Sequence, residues 1–299
     1  MAAGNGTTSA TFEEAPPRVS NARRFIRVFM GRKIVMFGMV VIGLLTFVAI
    51  FAPWIAPYDP NEPSLTNTLA SPSSAHLLGT DQLGRDTLSR IIYGSRPAIV
   101  VSMVAVNIAA LIGMALGLLA GFYGRFINVV IMRAVDTIMT VPPILLAVTI
   151  AALLGGGLKN VVIALGIGLI PPYARLMCGQ VLIVKKNDYI TAAEVGGASN
   201  LRIMLAHILP NCFPPLIVLL TMQIGRAILA EASLSFLGIG IKPPDAAWGS
   251  MVSEGYQNLL NEPLLSIAPG VAIMLVVFAF NMVGDGLRDA LDPRLRGTL

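Results

Sequence analysis

The sequence predicts an all-α integral membrane protein with about six transmembrane helices, both termini lying in the cytoplasm. Four observations carry this. The 299 residues are 55% hydrophobic and 12% charged, with a mean hydropathy of +0.76, which leaves too little charge to clothe a water-soluble fold. The apolar residues fall into about six blocks, each near or above the ~20 residues a helix needs to cross the hydrocarbon layer with its backbone satisfied internally. The ten-residue alternation of a membrane barrel is absent. Finally, thirteen Lys/Arg fall on segments assigned to one side (Arg18, Arg23, Arg24, Arg27, Arg32, Lys33, Arg125, Lys185, Lys186, Arg202, Arg288, Arg294, Arg296) and five on the other (Arg85, Arg90, Arg96, Lys159, Lys242). Cytoplasmic loops hold the basic excess in membrane proteins.

In chain order, residues 1–17 are rich in Gly, Ser, Thr, Pro and Ala without periodicity and read as a disordered cytoplasmic tail. Residues 18–57 hold a short interfacial helix, with Phe25, Ile26, Val28 and Phe29 interleaved among arginines, and a first span at Ile34–Ile55. That block is too long for a signal-peptide core. Residues 58–96 form an external segment in which Thr80 is expected to cap a helix carrying the pairs Asp81/Arg85 and Asp86/Arg90. The transmembrane domain proper covers 97–288, with spans near Ala98–Gly121, Ile127–Leu154, Val161–Val184, Pro214–Leu237 and Leu264–Gly284, and residues 289–299 form a cytoplasmic tail.

Several features stand out inside the membrane. Ala105, Ala109, Gly113, Gly117 and Gly121 recur every fourth residue, a small-residue stripe that lets another helix approach, within the chain or from a second subunit. Arg133 and Asp136 lie three apart on one helix face, as a local ion pair would, and Pro142-Pro143 and Pro171-Pro172 are expected to kink their spans. Glu231 sits in the fifth span with Arg226 poorly placed to meet it, so either a pathway or subunit contact or a structural hydrogen bond must satisfy it.

The most informative stretch is cytoplasmic, residues 187–210. Asp188 and Ser199 are candidate caps of two short helices, broken at Gly196-Gly197. The first helix is apolar on much of its surface (Tyr189, Ile190, Ala192, Ala193, Val195) although it lies outside the membrane, so it asks for a groove to fill.

This stretch resembles the cytoplasmic loop of ATP-binding-cassette (ABC) importer permeases, whose pattern is Glu-Ala-Ala, three residues, Gly, nine residues, Ile-x-Leu-Pro. The match is Thr191-Ala192-Ala193, Gly197 and Leu209-Pro210, with Thr191 in place of Glu and His207 in place of Ile. Leu78-Gly79-Thr80-Asp81, Gly84-Arg85-Asp86, Glu231-Ala232-Ser233-Leu234-Ser235-Phe236-Leu237-Gly238 and Gly284-Asp285-Gly286-Leu287-Arg288 narrow the resemblance to the C-type subunit of dipeptide, oligopeptide and nickel permeases.

The resemblance implies a type I importer fold in the bacterial inner membrane, a heterodimer with a homologous B-type permease, two cytoplasmic ABC ATPases carrying ATP and Mg, and an external solute-binding protein. It implies peptide cargo, with nickel or glutathione as alternatives. The residues expected to couple transport to ATP hydrolysis are Asp188, Tyr189, Thr191, Ala192, Ala193, Gly197, Leu209 and Pro210. The chain itself has no phosphate loop and no hydrolase motif, so no catalytic residue, cofactor or nucleic-acid site is expected on it. Two distant cysteines, Cys178 and Cys212, and two histidines predicted on opposite sides of the bilayer offer no metal site. The rival from another class is a transporter driven by an ion gradient, with Glu231 or the Arg133/Asp136 pair as its coupling groups.

Overall fold

The computed structural model describes residues 21–291, and no strand occurs among them. The tail at 1–17, Arg18 and the C-terminal Arg294 and Arg296 lie outside the described residues.

Helix α1 (Asn21–Met30) precedes α2 (Lys33–Ile55), the first span. The chain then folds through a 3₁₀ turn (Leu65–Asn67) into a compact loop before α3 (Thr87–Tyr123). Two expectations change here. Asp86, not Thr80, caps α3, its carboxylate accepting from the Ser89 amide at 2.8 Å. Thr80 is occupied elsewhere: its hydroxyl accepts from the Ala70 amide at 2.9 Å and donates to the Asn67 carbonyl. Since Asp86 also meets His76 Nδ1 at 2.9 Å, Arg90 turns to Asp81 instead of pairing with Asp86.

The third predicted span is two helices, α4 (Arg125–Met139) and α5 (Pro143–Leu154), bent by 86° at the double proline. Pro142 and Pro143 supply no amide hydrogens, and a helix cannot pass through the gap without a partner for the freed carbonyls. α6 (Leu158–Val184) behaves otherwise. Pro171 and Pro172 lie inside it and the helix is unbroken, because it is clamped along α3. The small-residue stripe forms that seam. A Cβ added to Gly113 would sit 2.6 Å from Tyr173 Cβ, one on Gly117 2.7 Å from Met177 Cβ, and one on Gly121 2.7 Å from Val181 Cβ. Ala105 and Ala109 are fully buried. Backbones this close gain dispersion contacts that lipid does not supply.

The chain after α6 carries α7 (Asp188–Val195) and the short α8 (Asn200–Arg202), which runs through a π-helical turn (Ile203–Ile208) into α9 (Leu209–Phe236). α10 (Trp248–Tyr256), a helix that no periodicity had announced, and α11 (Leu264–Leu291) complete the fold. By length and apolarity α2, α3, α6, α8–α9 and α11 each suffice to cross a membrane, and the bent α4–α5 pair makes up to six spans. Arg32 holds Asp289 across the starts and ends of α2 and α11, while the Lys185 ammonium donates to the Phe122 carbonyl at 2.8 Å, at the negative end of α3. These contacts put α7 at the same end of the bundle as the beginning of α2, and α10 at the other.

Candidate functional site

The loop between α6 and α9 is built to hold a small helix outward. Asn187, not Asp188, is the residue before α7; Asp188 lies in the first turn, where a carboxylate favours the helix dipole. At the other end Gly197 takes φ +79°, its amide bonds the Glu194 carbonyl at 3.1 Å, and the Ala198 amide bonds Ala193 at 3.0 Å. This is the paired closure that only a left-handed residue permits. Ser199 then caps α8 through the Arg202 amide.

Ile190 is buried among Ile203, Met204 and Ile208, so α7 is pinned to the root of α9. The outer face is left bare: Thr191 and Ala192 are exposed, and Tyr189 and Val195 are 45% and 85% exposed. Leu209 and Pro210 follow the π turn. There the widened backbone accommodates Pro210, and Asn211 Nδ2 donates to the His207 carbonyl at 2.6 Å. The predicted coupling residues thus fall on α7, on the glycine turn that follows it and on the first residues of α9.

Five charged groups lie deep in the membrane-spanning segments: Arg133, Asp136, Arg175, Arg226 and Glu231. Asp136 does not pair with Arg133: it reaches across to Arg175 on α6 at 2.5 Å, and Arg133 is exposed. The cause is the slope of α4. Asn128 bonds Cys178 at 3.3 Å and Asp136 bonds Arg175, so eight residues of α4 cross only three of α6, and the Asp136 side is turned to α6. Glu231 is 1% exposed and accepts from Ser235 Oγ at 2.7 Å, the same hydroxyl accepting from the Ile241 amide at 3.1 Å. It fastens the end of α9 to the following loop rather than facing a path. Arg226 is exposed, with one hydrogen bond, to Gln223 Oε1 at 3.3 Å. An arginine at the centre of a span costs roughly 2.5–3.5 kcal/mol on insertion scales.

Residues 113–297 match the family described as binding-protein-dependent transport system inner membrane component, and residues 20–72 match the N-terminal transmembrane domain of oligopeptide transport permease C. The chain belongs to this family of importer permeases. It is 43% identical over 283 residues to the di/tripeptide transport system permease of Pseudomonas aeruginosa, covering 93% of each chain. It is 41% identical over 290 residues to the probable D,D-dipeptide transport system permease of Escherichia coli, covering 97% of each. It is 42% identical over 275 residues to the glutathione transport system permease of Pectobacterium atrosepticum, covering 92% of this chain and 91% of that one. It is therefore a multi-pass permease component of a bacterial transport system, the membrane subunit of an ABC importer.

At the α10 end the permease carries a buried ionic network that sequence reasoning saw only in part. Asp81 Oδ1 accepts from the Leu83 and Arg85 amides at 2.8 and 3.0 Å, and Oδ2 accepts from Arg85 Nε at 2.7 Å. Glu254 on α10 meets Arg85 at 3.4 Å, and Arg90 donates to the Pro60 carbonyl at 3.2 Å. Trp248 donates to Ile91 at 2.9 Å and lies over Gly94. The loop, α3 and α10 are one unit. Arg175, Arg226 (weighed in the sequence only as a partner for Glu231) and Glu254 were not among the expected site residues. The first two had a legible signal, a guanidinium inside an apolar block; Glu254 had none, because its nearer partner, Arg85, is 169 positions away. Among the described residues no group of three potential ligands stands together to hold a metal.

Proposed function

We propose that this permease imports small peptides across the bacterial inner membrane, paired with a homologous B-type permease, driven by two cytoplasmic ABC ATPases that bind ATP and Mg, and fed by an external solute-binding protein. The observation that carries the coupling role is the bare outer face of α7. Tyr189, Thr191, Ala192 and Val195 form a small, mostly apolar knob outside the membrane, and such a surface is stable only in a groove. A partner that closes on ATP would push α7. Because Ile190 and the Gly197 closure weld α7 to α8 and α9, the push travels along a span and reorients it as a rigid body.

The basic excess on the α7 end supports placing that end in the cytoplasm. Peptide cargo is supported by the relatives, whose names specify di/tripeptides, D,D-dipeptides and glutathione, itself a peptide. Nickel stands as the alternative cargo. Gradient-driven coupling is disfavoured because Glu231 and Asp136 are engaged with Ser235 and Arg175.

The test is Ala192→Arg in the complete transporter. Ala192 is exposed, whereas Ala193 packs against the core and would confound coupling with folding. ATP-dependent peptide uptake should fall at least tenfold with membrane insertion unchanged. Uptake within twofold of wild type refutes the coupling role, and uptake that survives ATP depletion but not collapse of the proton gradient refutes the energy source.

A further inference from the structure

Between α5, α6 and α9 lies a cavity of about 370 Å³ with apolar walls that include Pro143, Leu165, Pro172 and Ala227, and with one cation, Arg226, at its edge. Its depth follows from helix geometry. Arg226 is ten residues before the end of α9 at Phe236, and Pro143 meets the chain at Gly168, ten residues after the start of α6 at Leu158. At 1.5 Å per residue both lie about 15 Å inside, near the middle of a ~30 Å hydrocarbon layer.

Two independent observations mark this cavity as a wet or protein-covered place rather than a lipid face. The non-helical residues Thr140, Val141 and Pro142, at the break that leads into Pro143, are exposed in the single chain. Irregular backbone at membrane depth survives only where protein or a water-filled path covers it. The second observation is Arg226 itself. It is exposed, and among the described residues no carboxylate forms an ion pair with it. Gln223, 1% exposed, holds the guanidinium in place through its Oε1, which leaves the other donors free.

We propose that Arg226, steadied by Gln223, binds the α-carboxylate of the cargo peptide in this cavity half-way through the membrane. The inference rests on the peptide-import reading. Every linear peptide with a free C-terminus carries that carboxylate whatever its side chains, and it is the group that most resists leaving water. A guanidinium fork offers two parallel donors to it. The apolar walls would take varied side chains without selecting among them, and the volume falls within the range of small-ligand pockets. The same charge would not help a divalent cation, which it repels.

The experiment uses the complete transporter with its binding protein in proteoliposomes and a labelled mixture of di- and tripeptides with free C-termini. Arg226→Gln should assemble with its partners yet lower uptake at least tenfold, and Arg226→Lys should retain at least a third. Arg226→Cys should lose uptake like Arg226→Gln and regain it on modification with 2-aminoethyl methanethiosulfonate, which restores a cation, but not with the neutral methyl reagent. Wild-type uptake in Arg226→Gln overturns the proposal. Failure of both Arg226→Gln and Arg226→Cys to co-purify with the partner permease assigns the carboxylate to that subunit and overturns it too. Absence of peptide uptake by the wild-type complex overturns the import reading itself, and with it this site.

Discussion

Removing the carboxylate of Asp81 should loosen the whole loop between α2 and α3. Asp81 is 7% exposed and holds four groups: the Leu83 and Arg85 amides, the Arg85 guanidinium at 2.7 Å and that of Arg90 at 3.5 Å. In Asp81→Ala the arginines, 6% and 2% exposed, keep Glu254 as their charged partner among the described residues, at 3.4 and 4.0 Å, and Arg90 also keeps the neutral Pro60 carbonyl. Taking one partner from a buried ionic network leaves uncompensated charge and costs about 3–5 kcal/mol. Glu254 is itself a third exposed, so Glu254→Gln should cost no more than about 1 kcal/mol.

Hydrogen exchange reads the difference at amides whose own acceptors survive the substitution: Ser64 to Leu83, Leu69 to Asp81 and Thr80 to Ala70, all backbone bonds. If the loop opens as a unit, 3 kcal/mol accelerates these amides roughly a hundredfold, since each 1.4 kcal/mol is a factor of ten. Glu254→Gln should move them fivefold or less. Exchange in Asp81→Ala within threefold of wild type would show that the loop is held by its backbone bonds and that the ionic network is incidental.

Gly117→Leu inserts a side chain where a single Cβ already falls 2.7 Å from Met177 Cβ; α3 and α6 must separate, costing upwards of 1–3 kcal/mol and lowering the thermal midpoint of the detergent-solubilised complex by several degrees. Gly197→Ala forces an L-residue to φ +79°, costing about 1–2 kcal/mol, and should reduce ATP-coupled uptake while leaving insertion normal. Asp136→Arg and Arg175→Asp should each impair uptake, and the double exchange should recover most of it, because the two side chains meet each other at 2.5 Å; a double variant no better than the singles refutes the pairing.

The legible parts were those governed by local chemistry. Six apolar blocks, the glycine break at Gly197, the Ser199 cap and the double-proline bend at Pro142 can each be read within a few residues, because hydropathy, φ preference and missing amide hydrogens act over that range. The errors share a different cause. Asp86 was assigned to Arg90 by spacing alone, but His76, Ser89 and the α3 amides compete for it in space. Asp136 was assigned to Arg133 for the same reason, and the oblique packing of α4 on α6 gave it Arg175. Pro171 and Pro172 do not interrupt α6 as Pro142 and Pro143 interrupt the preceding span, and α6 packs along the glycine face of α3.

What the residues alone determined is therefore a bundle of membrane-spanning helices, the family, and a short helix after the fourth apolar block with a bare, mostly apolar face. Partner choice among charges was decided only by the tertiary structure. An ion pair depends on which groups meet within about 4 Å after the helices have packed, and helix crossing angles are set by side chains far apart in the chain. That is why Arg226 counted for little in the sequence, and why its isolation at a mid-membrane cavity became visible only when α5, α6 and α9 were in place.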